Sequence, residues 1–209
     1  MTKESSEIKN ISKKTLNSNK SRENILAAAC HLFAENGFDG TTSKEIAKLA
    51  TCSEGLIFKY FKDKKNLFNI LMFDWVDSCI LELQELPETK NLEDELTLLA
   101  QWFFNTYSNK RDLYKMFIGQ RFNGNVHDDL SICREEYLQH RNNLISDRLK
   151  KYQKTGELTK NIDLTQLLEM FQGYALIETL FRDISIKTEK TKIKSLIKLV
   201  LVGIKNSSE

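Results

Sequence analysis

Residues 41–68 read TTSKEIAKLATCSEGLIFKYFKDKKNLF. Thr42, with Glu45 three residues on, is the pattern of a capping box: the hydroxyl accepts an early helical amide and the carboxylate reaches back to the cap. Ile46, Ala47 and the pair Leu49-Ala50 give the short helix 43–50 an apolar side. Ser53 is the next N-cap and predicts a helix over 54–61, and Asp63 caps a further one. Two short helices joined by Thr51-Cys52-Ser53 have the spacing of a helix-turn-helix. In that motif the second helix lies in the major groove of DNA, and its N-terminal amides and dipole favour a phosphate. Gly55 falls in its first turn. A glycine there costs up to about 1 kcal/mol relative to alanine. Its lack of a Cβ permits close approach, either to DNA or to a preceding helix.

Upstream, Ser21 caps a first helix whose Ile25, Leu26, Ala29, Leu32 and Phe33 form one stripe ending at Asn36-Gly37. Residues 1–20 are rich in Lys, Ser and Asn without a sustained apolar period, and are read as a flexible basic arm. Downstream, the fourth helix carries Leu67, Ile70, Leu71 and Trp75 toward Pro87. Further helices are expected from the Asn91 cap to 108, over 111–121 and 127–154, from the Asp163 cap to 184, and from the Thr188 cap to 205. One proline and eight glycines in 209 residues suit long helices, and no strand pattern interrupts them. The fold class is therefore all-α, about nine helices. It divides into an N-terminal three-helix DNA-binding domain (21–66) and a C-terminal helical ligand-binding and dimerisation domain (67–209).

Charge follows the same division. Residues 1–70 carry 12 Lys and Arg against 8 Asp and Glu, and the remainder carries 19 against 21. A basic head on a mildly acidic body suits a polyanion partner at the front end. No apolar run is long enough to span a bilayer, and the first twenty residues lack the apolar segment of a signal peptide, so a cytoplasmic location is expected. Cys30, Cys52, Cys79 and Cys133 have no CxxC spacing, which leaves them as reduced thiols without zinc. His31, His127 and His140 are scattered, and no Walker, GxGxxG, GxSxG or HExxH motif occurs. Neither an enzyme, a metal nor a cofactor is expected.

The stretch from Ile25 to Gly37, then Thr41–Ala47, then Ser53–Phe68, strongly resembles the TetR family of one-component regulators. The resemblance implies that Thr42 bonds a phosphate through its hydroxyl or amide, with Ser43 and Lys44 beside it. It implies that Ser53, Glu54 and Gly55 open the recognition helix, that Phe58, Lys59 and Tyr60 face the groove or its walls, and that Lys64 pairs with a phosphate. Ile46, Ala47, Leu56, Ile57, Phe61, Leu67 and Phe68 fall to the core. Two positions depart from the family pattern: Phe58 stands where tyrosine is common, and Thr51-Cys52 where Gly-Val is common. Phe58 has no hydroxyl to give a phosphate. A β-branched Thr51 is strained if the turn requires a positive φ.

The family architecture further implies a homodimer on a double-stranded palindromic operator, repression, and release by a hydrophobic or amphipathic small molecule. The expected pocket draws on Trp75, Cys79, Trp102, Phe103, Tyr107, Met116, Phe117, Phe122, Phe171 and Tyr174, whose aromatic and soft apolar side chains serve either a ligand or plain core. The expected dimer face draws on Leu167, Met170, Tyr174, Ile177 and Phe181 of the penultimate helix and Leu196, Val200 and Ile204 of the last. The competing reading is a helical small-molecule binding protein whose DNA-binding head is degenerate, with Thr51 and Phe58 as the features that keep it open.

Overall fold

The computed structural model describes residues 3–122, 128–182 and 186–206, with side chains omitted over 3–18, 117, 119–122, 128–134, 186–189 and 204–206. The described residues form α1 (Lys3–Asn36), α2 (Ser43–Leu49), α3 (Glu54–Phe61), α4 (Lys64–Gln84), α5 (Leu92–Asn109), α6 (Arg111–Phe122), α7 (Asp128–Thr155), α8 (Leu164–Phe181) and α9 (Ile186–Asn206). Among these residues there is no strand, and no helix is long and apolar enough to cross a membrane.

The caps carry much of this pattern. Thr42 and Glu45 form the reciprocal capping box, and the Asn91 and Asp163 side chains accept amides at the starts of α5 and α8. The Asp63 carboxylate accepts the Asn66 amide at 2.7 Å and starts α4. Ser53 sits at the N-cap of α3 in extended conformation, but its side chain makes no capping bond. Over the residues expected to form a flexible basic arm, α1 runs back to Lys3 as one helix. No glycine or proline occurs before Gly37, so nothing in residues 3–36 interrupts helical hydrogen bonding even where the apolar stripe fades. At the other end, α9 begins at Ile186, ahead of the Thr188 cap that the sequence suggested.

Compact packing divides the chain into two units. One comprises Met1–Trp75 with Lys115–Val126, the other Val76–Tyr114 with His127–Glu209. The division falls at Trp75 within α4, not at the expected 66/67 boundary, because Leu67, Phe68, Leu71 and Met72 bury their side chains on the first part of that helix. In the first unit α2 packs on α1 and on α3, around Ile25, Ala29, Phe33, Ile46, Ile57 and Phe61. Phe33, Phe38 and Phe68 form a three-ring cluster with centroids 5.2–5.6 Å apart. In the second unit α5 is the central element, packed against α7, α8 and α9. Its Leu96, Leu99, Phe103 and Phe104 are fully buried.

The α2–α3 turn is where local energetics are most visible. The Cys52 amide donates to the Ala47 carbonyl at 2.9 Å and the Thr51 amide to the Lys48 carbonyl at 3.3 Å. These two bonds make a Schellman motif, which places its C′ residue in the left-handed region. Thr51 is that residue, with φ 54°. Left-handed backbone costs an L-residue with a Cβ roughly 1–2 kcal/mol. Thr51→Gly is therefore expected to stabilise the protein by about 1 kcal/mol after the greater chain entropy of glycine is set against it. The midpoint of urea denaturation reads this directly. An unchanged or lower midpoint would show that the turn carries no strain.

Candidate nucleic-acid interface and effector core

The first unit presents α3 with one buried and one open side. Ile57 and Phe61 are fully buried, Leu56 is half-buried rather than core, and Gly55, Phe58 and Lys59 are exposed. A Cβ built on Gly55 meets nothing within 4 Å. Packing against the first helix therefore does not explain this glycine, and the space beside it is open. Phe58, at 45% exposed, and Leu49, at 50%, are large apolar side chains left in solvent. Leu49 was expected on the inner side of α2; the core is closed instead by Ile46 and Ala47. Lys44, Lys48, Lys62 and Lys65 are exposed as well, so the solvent side of this unit carries several cations. Ser43 and Tyr60 are half-buried, and the Tyr60 ring lies edge-on to Phe61. Ser53 and Glu54 are exposed at the start of α3.

Two positions expected on phosphates have other partners here. The Thr42 amide and hydroxyl both donate to Glu45 Oε2 at 2.8 Å. The Thr42 side chain, then its backbone, hold the Glu45 carboxyl below its ordinary value, so the box remains charged and closed at neutral pH. Lys64 Nζ donates to the carbonyls of Phe38 and Thr41, each at 2.8 Å, and lies 4.3 Å from the Phe38 ring centre. Its main occupation is to tie the start of α4 to the α1–α2 turn. One ammonium hydrogen at most is left for a phosphate. Lys62, which the sequence did not single out, ends α3 at φ 67° with the Asp63 amide donating to the Phe61 carbonyl at 2.7 Å. This is a γ-turn of the uncommon positive-φ form, and it fixes the exit from α3.

In the second unit Cys79, Trp102, Phe103, Tyr107 and Phe171 are buried and Tyr174 is half-buried. The Phe103 and Tyr107 rings are 6.0 Å apart, those of Tyr107 and Tyr114 4.1 Å, and those of Phe104 and Tyr174 6.2 Å. Burial pushes the Cys79 thiol up to about 11, so it stays a neutral, unreactive thiol. Trp75 and Met116 are buried in the first unit. The side chains of Phe117 and Phe122 lie outside the described residues, as does that of Ile204 from the expected dimer face.

That face sorts by exposure. Met170, Ile177 and Phe181 are 42%, 48% and 77% exposed and follow one another along α8 at helical spacing, with half-buried Tyr174 between them. Leu167, Leu196 and Val200 are buried within their own unit, which corrects their assignment to the outer face. On α9 the outer apolar residues are Leu199 and Val202, which the sequence reading missed. Both helices are apolar on two sides, so periodicity alone does not say which side a unit keeps for itself. Among the described residues no group of His, Cys, Asp or Glu is arranged to hold a metal ion.

Comparison with known proteins bears on the first unit and on the fold. The family described as "Bacterial regulatory proteins, tetR family" matches residues 25–71. The regulator QacR of Staphylococcus aureus is 32% identical over 90 residues, covering 40% of this chain and 48% of QacR. The chain thus spans about half the length of that relative or less in the first matches. The fatty acid metabolism regulator protein of Bacillus subtilis is 24% identical over 150 residues, covering 71% of this chain and 76% of that protein. Among solved structures, the B. subtilis regulator FadR in complex with stearoyl-CoA superposes with TM-score 0.68 at 21% identity, over 87% of this chain and 98% of FadR.

Proposed function

We propose, for a chain that belongs to the tetR family of bacterial regulatory proteins, that it is a transcriptional regulator, not an enzyme, which binds a palindromic operator as a homodimer. The observation that carries this reading is the outer side of α3. Gly55, Phe58 and Lys59 stand exposed on a helix whose other side is locked into a helix-turn-helix by Ile57 and Phe61. Lys59 supplies a charge for base edges or phosphates, Gly55 lets the backbone approach, and Phe58 offers an apolar contact such as a thymine methyl. One such head reads few base pairs. Two heads at a fixed separation of about 34–36 Å read two half-sites one helical turn apart. The exposed stripe of Met170, Ile177 and Phe181 on α8, with Leu199 and Val202 on α9, is the surface proposed to meet its copy. Gly173 and Gly203, where an added Cβ meets nothing within 4 Å, lie on the same two helices and favour close helix contact there.

The second unit is proposed as the effector domain. Its aromatic interior suits an amphipathic small molecule, and the stearoyl-CoA held by FadR is a ligand of that type. The α4 helix contributes Lys64–Trp75 to the first unit and Val76–Gln84 to the second. A ligand that favours a different disposition of α4 would lower operator affinity by its differential binding energy, typically 1–3 kcal/mol. Release of operator on ligand binding is repression relieved in the cytoplasm.

The head is tested by Gly55→Leu. Because the position opens on free space, the fold is expected to be as stable as the parent or more so, since leucine is the better helix former. Operator affinity, read by fluorescence anisotropy, is expected to fall at least about tenfold, the loss from one displaced set of base contacts. Retained affinity would remove α3 from the groove.

A further inference from the structure

Among the described residues the second unit buries three charged side chains whose partners are not alike. Glu95 is 0% exposed and is met by Arg148 at 2.6 Å and Lys151 at 3.8 Å. Glu178 is 2% exposed and is met by Arg182 at 3.0 Å and by Lys192. Each buried carboxylate thus has two cations. Arg141, on α7, is also 2% exposed, and no carboxylate among the described residues lies within ion-pair distance of it. Its hydrogen bonds go to neutral amide oxygens: Asn142 Oδ1 from Nε at 3.1 Å and Nη2 at 2.8 Å, and Gln172 Oε1 from Nη2 at 2.8 Å. The remainder of its surroundings is aromatic, with the Phe103 and Tyr137 ring centres 5.6 and 5.7 Å from the guanidinium carbon.

Arginine does not escape burial by losing its proton. A desolvated, unneutralised guanidinium is costly, and ring faces and amide oxygens repay only part of that cost. The Tyr107 hydroxyl is buried beside the same cluster, with the Tyr114 ring 4.1 Å from its own. Burial above all holds Tyr107 well above its ordinary titration range, so it remains a neutral hydroxyl able to donate. The Gln172 amide that accepts from Arg141 donates to Tyr114 at 3.3 Å, which fixes its orientation. The cluster therefore has a cation with its two Nη1 hydrogens unspent, a neutral hydroxyl, an apolar wall, and no anion among the described residues. An oxyanion matches this cation in charge, and the two Nη1 hydrogens are the donors left to meet it.

We propose that the effector of this protein carries an oxyanion head, carboxylate or phosphate, on an apolar body, and that Arg141 is the residue that binds the head, with Tyr107 as a further donor. This rests on the reading of the second unit as the effector domain and names the chemistry of what it takes.

The test uses the full chain and three probes of one body: dodecanoate, dodecyl phosphate and dodecanol, each below its micelle concentration, with binding read by calorimetry and thermal shift. At least one anion is expected to bind at least about tenfold tighter than the alcohol, the discrimination that a charged hydrogen-bonded pair supplies. Which anion is preferred separates a carboxylate from a phosphate head. Arg141→Met is expected to erase the preference, and Arg141→Lys, which keeps the charge without the guanidinium, to retain part of it. Arg141→Met is also expected to raise the melting temperature of the ligand-free protein by about 3 °C or more, since a buried cation without a counter-ion gives way to an apolar side chain of similar length. Equal binding of the three probes, binding of none, an anion preference that survives Arg141→Met, or a lower melting temperature in that variant would each overturn the proposal. Intact operator binding together with any of these would leave the regulator reading standing and the anionic effector refuted.

Discussion

Replacing Ile177 and Phe181 together by aspartate is expected to yield a folded monomer that binds the operator at least about a hundredfold more weakly, the avidity lost when two linked heads become independent. The two side chains are 48% and 77% exposed in the isolated chain, so the substitutions disturb little of its own packing, and surface changes of this kind usually shift stability by less than about 0.5 kcal/mol. In the proposed dimer the same stripe meets its own copy across a two-fold axis, so each substitution would act twice and place like charges in an apolar contact. Light scattering gives the oligomeric state and thermal melting shows that the fold persists. A dimer that survives both aspartates would move the interface away from this face of α8.

Arg148→Met is expected to destabilise the protein by about 3–5 kcal/mol, the usual consequence of removing one member of a buried ion pair. Glu95 is fully buried, and Arg148 meets it with a fork, Nε to Oε1 at 2.6 Å and Nη2 to Oε2 at 3.3 Å. The same guanidinium donates to the carbonyls of Leu86 and Pro87 at 3.1 and 2.7 Å, which pins the α4–α5 connection to α7. Lys151, 3.8 Å from Glu95, compensates weakly and pulls the effect toward the lower end. For a chain of this size the melting temperature falls by about 10 °C. The double variant Glu95→Gln with Arg148→Met is expected to recover much of the loss, because no buried charge then remains unpaired. Equal losses in the single and double variants would show that Arg148 acts through packing alone.

Much of the head was legible because its signals are local. The Thr42–Glu45 box, the Asp63 cap and the positive φ weighed at Thr51 each depend on residues no more than three apart, and each is present. What the sequence could not show is competition for the same atoms. Thr42 and Lys64 carry donors suited to phosphate, but Glu45 and the Phe38 and Thr41 carbonyls occupy most of them in the free protein. The helix over residues 3–20 was not legible for a different reason: without an apolar stripe they offered no helical period, although they contain no breaker either. In the second unit Leu167 and Met170 are equally apolar on α8, and only the packing of α5 decides which turns inward.

Arg141 had a signal that went unread. It falls between Tyr137 and Ile145 in the four-residue spacing that continues to Leu149, so the inward face of α7 runs through a charged residue. A cation on an apolar stripe reads at first as a defect in the stripe. The structure shows it fully enclosed beside rings and amide oxygens.

The central claim is that this chain reads a two-fold DNA sequence with a pair of heads. The most direct test selects ligands for the purified protein from a random duplex pool, then measures the winner and a scrambled duplex by fluorescence anisotropy at low and moderate salt. The account predicts an enriched palindrome whose half-sites lie about one helical turn apart, bound by a dimer. It also predicts that affinity falls at least about a hundredfold between about 50 and 200 mM salt, as phosphate contacts release their counterions. A pool that yields no common sequence, or a winner bound no better than the scrambled duplex at either salt concentration, would contradict it and leave a helical ligand-binding protein with a head that no longer reads DNA.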